Sequence, residues 1–258
     1  MLLRQFILFA WLILWLGLGL VVALPVVAMP DQSGHPHHRM ETNAPSTFPF
    51  DEEAERLFNQ GLDRLHVKNY DGAIAAFSDS LKQAPDYRVY LERGKVYAQL
   101  GAWQQAITDY TEALMMNPDA DSYVHGLRGV AWEKVGNFEA AIADYTQQLT
   151  IYPNDGVGYT RRGILYTHLK NFSEASRDLE AALQLNDTKA EAYLARGKLR
   201  SQIGNVQGAI EDYQKAIALF TEQGKTEDAQ IAIRLIETLQ PKRATPATST
   251  LNSKTLAN

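Results

Sequence analysis

Three histidines near the start of the chain are the residues best suited to binding a metal ion. His35, His37 and His38 stand close together in a segment rich in Pro, His, Ser and Thr, and imidazoles at this spacing can bind a transition metal. A folded metal site needs about four ligands and a set of supporting side chains, and this segment offers little of either. We therefore interpret the segment as a solvated spacer. The alternative is that the protein is an enzyme or a metal-binding protein that uses this histidine cluster.

No group of side chains elsewhere has the spacing of a catalytic site. His66, His125 and His168 stand singly and far apart, and the chain contains no cysteine. The sequence has no glycine-rich phosphate loop, nucleophile elbow or metal-binding helix motif. A formal net charge of −5 without a cluster of Lys and Arg also argues against a nucleic-acid partner. The sequence therefore predicts a protein that is not an enzyme and carries no cofactor.

Small residues recur at a fixed period through the middle of the chain. Alanine stands at positions 73, 106, 141, 175 and 209, so the period is 33 to 35 residues, and a glycine precedes each alanine by twelve residues. Such a period indicates a repeated supersecondary unit that buries its apolar face only by stacking on its neighbours. Four residues after each alanine is a bulky apolar side chain: Phe77, Tyr110, Tyr145, Leu179 and Tyr213.

The repeated unit resembles the tetratricopeptide repeat, a helix–turn–helix of about 34 residues. The resemblance implies an all-α fold in which five repeats stack into a right-handed superhelix, and the small residues let the two helices of a repeat approach closely. Arg64 and Arg200 depart from the family pattern, which usually has an aromatic residue at their position. The implied repeats are residues 54–86, 87–121, 122–155, 156–189 and 190–223.

The segments on either side of the repeats differ from them in composition. An uncharged run from Phe6 to Ala28 follows Arg4, so residues 1–28 are predicted to be either a signal peptide cleaved after Ala28 or a transmembrane anchor. Both interpretations carry the rest of the chain across a membrane, and we expect an extracytoplasmic protein, in the periplasm or thylakoid lumen if the source is bacterial. The remaining segments are predicted to be a disordered linker (29–53), a capping helix (224–240) and a disordered tail (241–258).

Arginine and aspartate recur at matched positions in four of the five repeats. The arginine directly precedes the repeated glycine, and the aspartate directly precedes the bulky residue of the second helix. The first repeat has Gln60 and Ala76 instead, so both charges are absent together. This favours contact between them over a row of arginines open to an acidic ligand, and a guanidinium can bind a carboxylate through two hydrogen bonds. The predicted structural pairs are Arg93–Asp109, Arg128–Asp144, Arg162–Asp178 and Arg196–Asp212.

The resemblance also implies a surface for a partner protein. In the family, fixed positions on the first helix of each repeat face a concave groove that binds peptides or helices of other proteins. We therefore predict a non-enzymatic adaptor that assists assembly of a membrane-associated complex. The apolar end of the groove is either open or covered by the chain's own residues 48–50. The residues implied for the groove are Phe58, Leu62, Leu65, Leu91, Lys95, Val130, Lys134, Thr160, Ile164, His168, Leu194 and Lys198.

Overall fold

The fold is built from short helices that pack in consecutive pairs. The computed structural model describes residues 51–117, 122–186 and 188–239, which contain eleven α-helices and no β-strand. The prediction of an all-α helix–turn–helix solenoid is therefore confirmed. The helices are α1 (Glu52–His66), α2 (Tyr70–Gln83), α3 (Tyr87–Gln99), α4 (Trp103–Met116), α5 (Ser122–Lys134), α6 (Phe138–Ile151), α7 (Gly156–His168), α8 (Phe172–Leu185), α9 (Ala190–Gln202), α10 (Val206–Glu222) and α11 (Thr226–Leu239).

Polar side chains fix where many of these helices begin. Asp51 Oδ1 accepts hydrogen bonds of 3.0 Å from two backbone N–H groups at the start of α1. Asn69, Asn137 and Asn205 do the same for the second helix of their repeats, each accepting one bond of 3.0 or 3.1 Å. These contacts satisfy N–H groups that have no partner within the helix, so each helix start is defined locally by the sequence.

The turn inside each repeat passes through the left-handed backbone region at one residue. Gly101, Gly136 and Gly204 have φ angles of 75°, 81° and 83° at this point, and Lys68 and Lys170 have φ angles of 59° and 61°. Glycine adopts this conformation without steric cost, whereas a residue with a Cβ atom does not. The same backbone turn therefore recurs in all five repeats.

The two helices of a repeat are held close by the repeated glycine. A Cβ atom at Gly197 would lie 2.5 Å from Cε1 of Tyr213, and one at Gly94 would lie 2.7 Å from Cε1 of Tyr110. No side chain fits between these glycines and the rings that cover them. The core continues between repeats, since Ala131 of the third repeat packs in the same apolar cluster as Tyr110 of the second.

Helix α11 covers the C-terminal end of the stack. Ala232 is fully buried in an apolar cluster with Ala209 and Tyr213 of the fifth repeat. Arg234 and Glu237 of α11 are exposed to solvent. A terminal helix with one apolar and one polar face closes the core without leaving an apolar end, as a capping helix must.

Several sequence-based predictions lie outside the described residues. They are the signal peptide or anchor in residues 1–28, the histidine cluster at His35, His37 and His38, the cover formed by residues 48–50, and the tail at 241–258. Within the described parts of the chain, none of the helices is long and apolar enough to cross a membrane.

Candidate functional site

In four repeats the arginine of the first helix forms two hydrogen bonds with the aspartate of the second. Arg93 Nε donates to Asp109 Oδ2 at 2.8 Å, and Arg93 Nη2 donates to Asp109 Oδ1 at 2.7 Å. The other three pairs have the same two bonds at 2.7 to 3.0 Å. All four carboxylates are buried. The structure thus brings together Arg93–Asp109, Arg128–Asp144, Arg162–Asp178 and Arg196–Asp212.

A third hydrogen bond joins three of these arginines to the preceding repeat. The Nη1 group donates to a serine or threonine hydroxyl on the second helix of that repeat, and the hydroxyl donates at 2.7 Å to a carbonyl one turn earlier in its own helix. Each arginine therefore connects three helices. For the fourth arginine, Arg196, the preceding repeat has Glu180 at the position where the other repeats have a serine or threonine. The three bonds are Arg93–Ser78 (2.9 Å), Arg128–Thr111 (3.1 Å) and Arg162–Thr146 (3.0 Å).

The guanidinium groups face the interior of the stack rather than a ligand. Tyr90 and Tyr97 flank Arg93, with ring centres 5.7 and 5.9 Å from its Cζ atom. The hydrogen bond with Asp109 raises the pKa of Arg93 above its ordinary value, against the opposing effect of burial. Because its Nε, Nη1 and Nη2 groups already donate to protein acceptors, this arginine is a structural cation and not a binding site for an acidic ligand.

The two repeats without the family's aromatic residue use arginine to brace the start of their second helix. Arg64 Nη1 donates to the carbonyl of Gly72 at 2.9 Å, and Arg200 Nη1 donates to the carbonyl of Gly208 at 3.3 Å. Arg200 Nη1 also lies 3.0 Å from Asp212 Oδ2. The two departures from the family pattern therefore share one structural role, a bond from the first helix to the backbone of the second.

His125 adds a further group to the pair in the third repeat. Its Nδ1 lies 3.1 Å from Asp144 Oδ1, and only 13% of its side chain is exposed. This histidine belongs to the structural network of the third repeat. Across the described ranges, no group of three or more His, Asp or Glu side chains is placed to bind a metal ion.

The groove residues implied by the resemblance differ in exposure, and three of them require a correction. Phe58, Leu91 and Thr160 are buried, so they support the fold and do not form an open surface. Phe58 and Leu91 pack in apolar core clusters, and the Thr160 hydroxyl donates to the carbonyl of Gly156 at 2.7 Å. All three precede the repeated glycine of their repeat by three residues, a register position at which the first helix packs into the core. Five others are half-buried: Leu62, Leu65, Lys95, Val130 and Leu194.

Four implied residues are open to solvent, and we call them the exposed groove face: Lys134, Ile164, His168 and Lys198. They stand on the first helices of the third, fourth and fifth repeats. The Lys134 ammonium lies 5.9 Å from the centre of the Trp103 ring. The His168 ring stacks on Phe138 with 5.7 Å between the ring centres. The face therefore combines an apolar side chain, Ile164, with basic groups in the repeats on either side.

The remaining charges on the first helices are mostly paired within the protein. Lys95 Nζ lies 2.8 Å from Glu92 Oε1, and Arg161 Nη1 lies 3.4 Å from Glu133 Oε2. Their side chains are partly exposed, so each pair contributes little to stability. The pairing leaves this part of the surface with nearly balanced charge, in contrast to the exposed groove face.

Comparison of the sequence with known families identifies a repeat family. A family model for the tetratricopeptide repeat matches residues 58–123 and 161–224, which together are just over half of the chain. No curated protein matches the sequence significantly.

Many solved structures are similar to this one in fold. MamA from Desulfovibrio magneticus RS-1 is 17% identical with a TM-score of 0.63, over 68% of this chain and 99% of that chain. A tetratricopeptide repeat protein from Parabacteroides merdae is 21% identical with a TM-score of 0.60, over 74% and 81% of the two chains. YrrB, a TPR protein with an unusual peptide-binding site, is 19% identical with a TM-score of 0.61, over 70% and 92%. At such identities the similarity shows the fold alone.

Proposed function

Because the chain belongs to the tetratricopeptide-repeat family, whose members are generally modules for protein interaction, we propose that it is a non-enzymatic adaptor that binds a peptide or helix of a partner protein. The observation that carries this proposal is the exposed groove face, with Ile164 37% exposed between basic residues of the neighbouring repeats. An exposed apolar side chain in a helical groove suits an apolar anchor of an incoming peptide. Lys134 and Lys198, which stand in the repeats on either side, suit acidic residues elsewhere along the same peptide.

The experiment uses the full-length chain and peptides selected against it from a random display library. Ile164→Asp is expected to weaken the selected peptides at least tenfold, because it places a charge where an apolar anchor packs. Ile151→Asp is the matched control, since Ile151 is 48% exposed but lies on the second helix of its repeat. Equal weakening by the two variants, or no effect of Ile164→Asp, would show that the peptides bind elsewhere.

The positive charge on the exposed groove face can be tested with a second pair of variants. Lys198→Glu is expected to weaken peptides that carry acidic residues and to reduce the salt dependence of their binding. Lys215→Glu is the control, because Lys215 is also exposed but stands on α10, the second helix of the same repeat. Neither variant removes a buried contact, so both proteins are expected to keep the thermal stability of the parent.

We also propose that the adaptor works outside the cytoplasm, beside or within a membrane-associated complex. This proposal is supported by the uncharged run from Phe6 to Ala28, which follows Arg4 in the sequence. Cell fractionation followed by intact mass measurement of a C-terminally tagged chain tests this. A soluble extracytoplasmic product beginning at Met29 indicates a cleaved signal, and a full-length product in membranes indicates an anchor. A full-length soluble cytoplasmic product contradicts the proposal.

A further inference from the structure

Buried tyrosine hydroxyls lie between the two helices of three repeats. Tyr110, Tyr145 and Tyr213 are each at most 1% exposed. The Tyr145 hydroxyl donates to Glu133 Oε1, and the Tyr213 hydroxyl interacts with the side chain of Ser201. Both partners stand on the first helix of the same repeat, twelve residues before the tyrosine. The third and fifth repeats therefore satisfy their buried hydroxyl from one fixed position.

The second repeat lacks that partner. The equivalent position is Ala98, which packs against the apolar cluster that contains Tyr110 and offers no polar atom. Among the described residues, the Tyr110 hydroxyl has no hydrogen-bond partner at all. A buried hydroxyl without a partner is destabilising, and phenylalanine at this position would avoid the cost, as Phe77 does in the first repeat. The hydroxyl is therefore an unexplained feature of the second repeat.

The Tyr110 ring packs against the first helix of its own repeat. Its Cε1 and Cδ1 atoms would lie 2.7 and 2.9 Å from a Cβ atom on Gly94, so the ring passes over the backbone of α3. Burial raises the pKa of Tyr110, and the nearby Tyr123 and Glu92 raise it further. Tyr123 is on α5 and Glu92 is on α3. The hydroxyl therefore lies where the first helices of the second and third repeats meet.

The groups nearby can rearrange at low cost. Lys95 Nζ lies 2.8 Å from Glu92 Oε1 and 5.5 Å from the centre of the Tyr123 ring. The side chains of Lys95 and Glu92 are 31% and 23% exposed, and ion pairs of this kind contribute little net free energy. A long lysine side chain can move aside without breaking the core. The inference requires that an incoming group reach the hydroxyl when Lys95 and Glu92 separate.

We infer that Tyr110 is a ligand-binding residue of the groove, and that its hydroxyl donates a hydrogen bond to a backbone carbonyl of the bound peptide. This inference rests on the proposed function. The ligand atom is a neutral acceptor because Lys95 and Glu92 together carry no net charge, so the site neither attracts nor requires a carboxylate. A peptide carbonyl supplies a neutral partner, as the Ser201 hydroxyl does for Tyr213 in the fifth repeat.

The test measures the affinity of library-selected peptides for full-length variants. Tyr110→Phe is expected to weaken binding about fivefold, the effect of one hydrogen bond, and to leave the melting temperature unchanged or raise it. Tyr213→Phe is the matched control, since its hydroxyl is already satisfied by Ser201, and it is expected to leave peptide affinity unchanged. Weakening by Tyr110→Phe that is independent of salt supports a neutral acceptor.

A second variant supplies the missing partner within the protein. Ala98→Ser places a hydroxyl at the position that Ser201 has in the fifth repeat, so it is expected to raise the melting temperature and to weaken the peptides. If Tyr110→Phe binds peptides as tightly as the parent while Ile164→Asp abolishes binding, the inference is wrong and the proposed function stands. If no peptide is selected, or if Ile164→Asp has no effect on binding, the proposed function and the inference both fail.

Discussion

Arg162 and Asp178 are joined by two hydrogen bonds, from Nε to Oδ2 at 2.7 Å and from Nη2 to Oδ1 at 2.9 Å. Only 8% of the aspartate side chain is exposed, so the carboxylate depends on this one arginine for its charge partner. Burying two charges costs much of what their attraction returns. The pair therefore specifies how the two helices pack more than it adds to their stability.

Removing the arginine alone is expected to cost more than removing both charges. Arg162→Ala leaves the Asp178 carboxylate buried and unpaired, which is expected to lower the free energy of unfolding by about 3 kcal/mol. The double variant Arg162→Ala with Asp178→Ala leaves no stranded charge and is expected to lose less. Urea denaturation of the parent and the variants measures this, and a double variant less stable than the single one would contradict it.

The same change in the third repeat is expected to be milder. Arg128→Ala leaves His125 Nδ1 at 3.1 Å from Asp144 Oδ1, so this carboxylate keeps one polar partner. We expect Arg128→Ala to lower the urea midpoint less than Arg162→Ala does. Adding His125→Phe to Arg128→Ala is expected to remove the difference. Equal midpoints for the two single variants would show that His125 does not support Asp144.

Replacing the glycine at the helix contact with alanine is expected to destabilise the protein. Gly197→Ala would place Cβ 2.5 Å from the Tyr213 ring, and overpacking of this kind costs about 1–3 kcal/mol. Gly156→Ala is the control, because its Cβ meets no atom closer than 3.5 Å. Alanine favours helix over glycine by up to about 1 kcal/mol, so the control is expected to be neutral or stabilising. Thermal unfolding distinguishes the two outcomes.

Three tyrosines are expected to ionise only when the protein unfolds. Burial raises the pKa values of Tyr110, Tyr145 and Tyr213 above the ordinary value of about 10, and Glu133 adds to the effect on Tyr145. Because the folded pKa values are raised, this contribution to stability is complete below pH of about 10 and is lost as the pH rises further. Tyrosinate absorbance measured as the pH rises should therefore show that three of the 12 tyrosines ionise only as the protein unfolds. Simultaneous titration of all of them before unfolding would contradict this.

The repeat pattern carried most of the information about the fold. A glycine and a bulky side chain recur at fixed positions because the side chain packs directly on the glycine backbone, as Tyr213 does on Gly197. This contact lies within one repeat, so the sequence of each repeat shows it. The Arg–Asp contacts could be predicted because both charges are absent together from the first repeat. The hydroxyls at Ser78, Thr111 and Thr146 were missed, although their recurrence two residues after Ala76, Asp109 and Asp144 was a usable signal.

The exposure of the residues implied for the groove was harder to predict from the sequence. Leu91 and Ile164 stand on the same helix of their repeats, yet Leu91 is 1% exposed and Ile164 is 37% exposed. Leu91 precedes the repeated glycine of its repeat by three residues and Ile164 follows it by one, so they stand at different register positions along the helix. The unpartnered Tyr110 hydroxyl has a different origin, since it depends on Ala98 of the same repeat, which provides no polar atom.

The bonds from arginine to the preceding repeat also bear on how the array comes apart. Arg93, Arg128 and Arg162 link the first four repeats in series, and the series ends where Glu180 replaces the hydroxyl. In a one-dimensional array, opening begins where coupling between neighbours is weakest. We therefore expect amide hydrogens in α9, α10 and α11 to exchange together and earlier than those of the first four repeats. Helices α9 to α11 would then fray as a single cooperative segment while helices α1 to α8 stay closed.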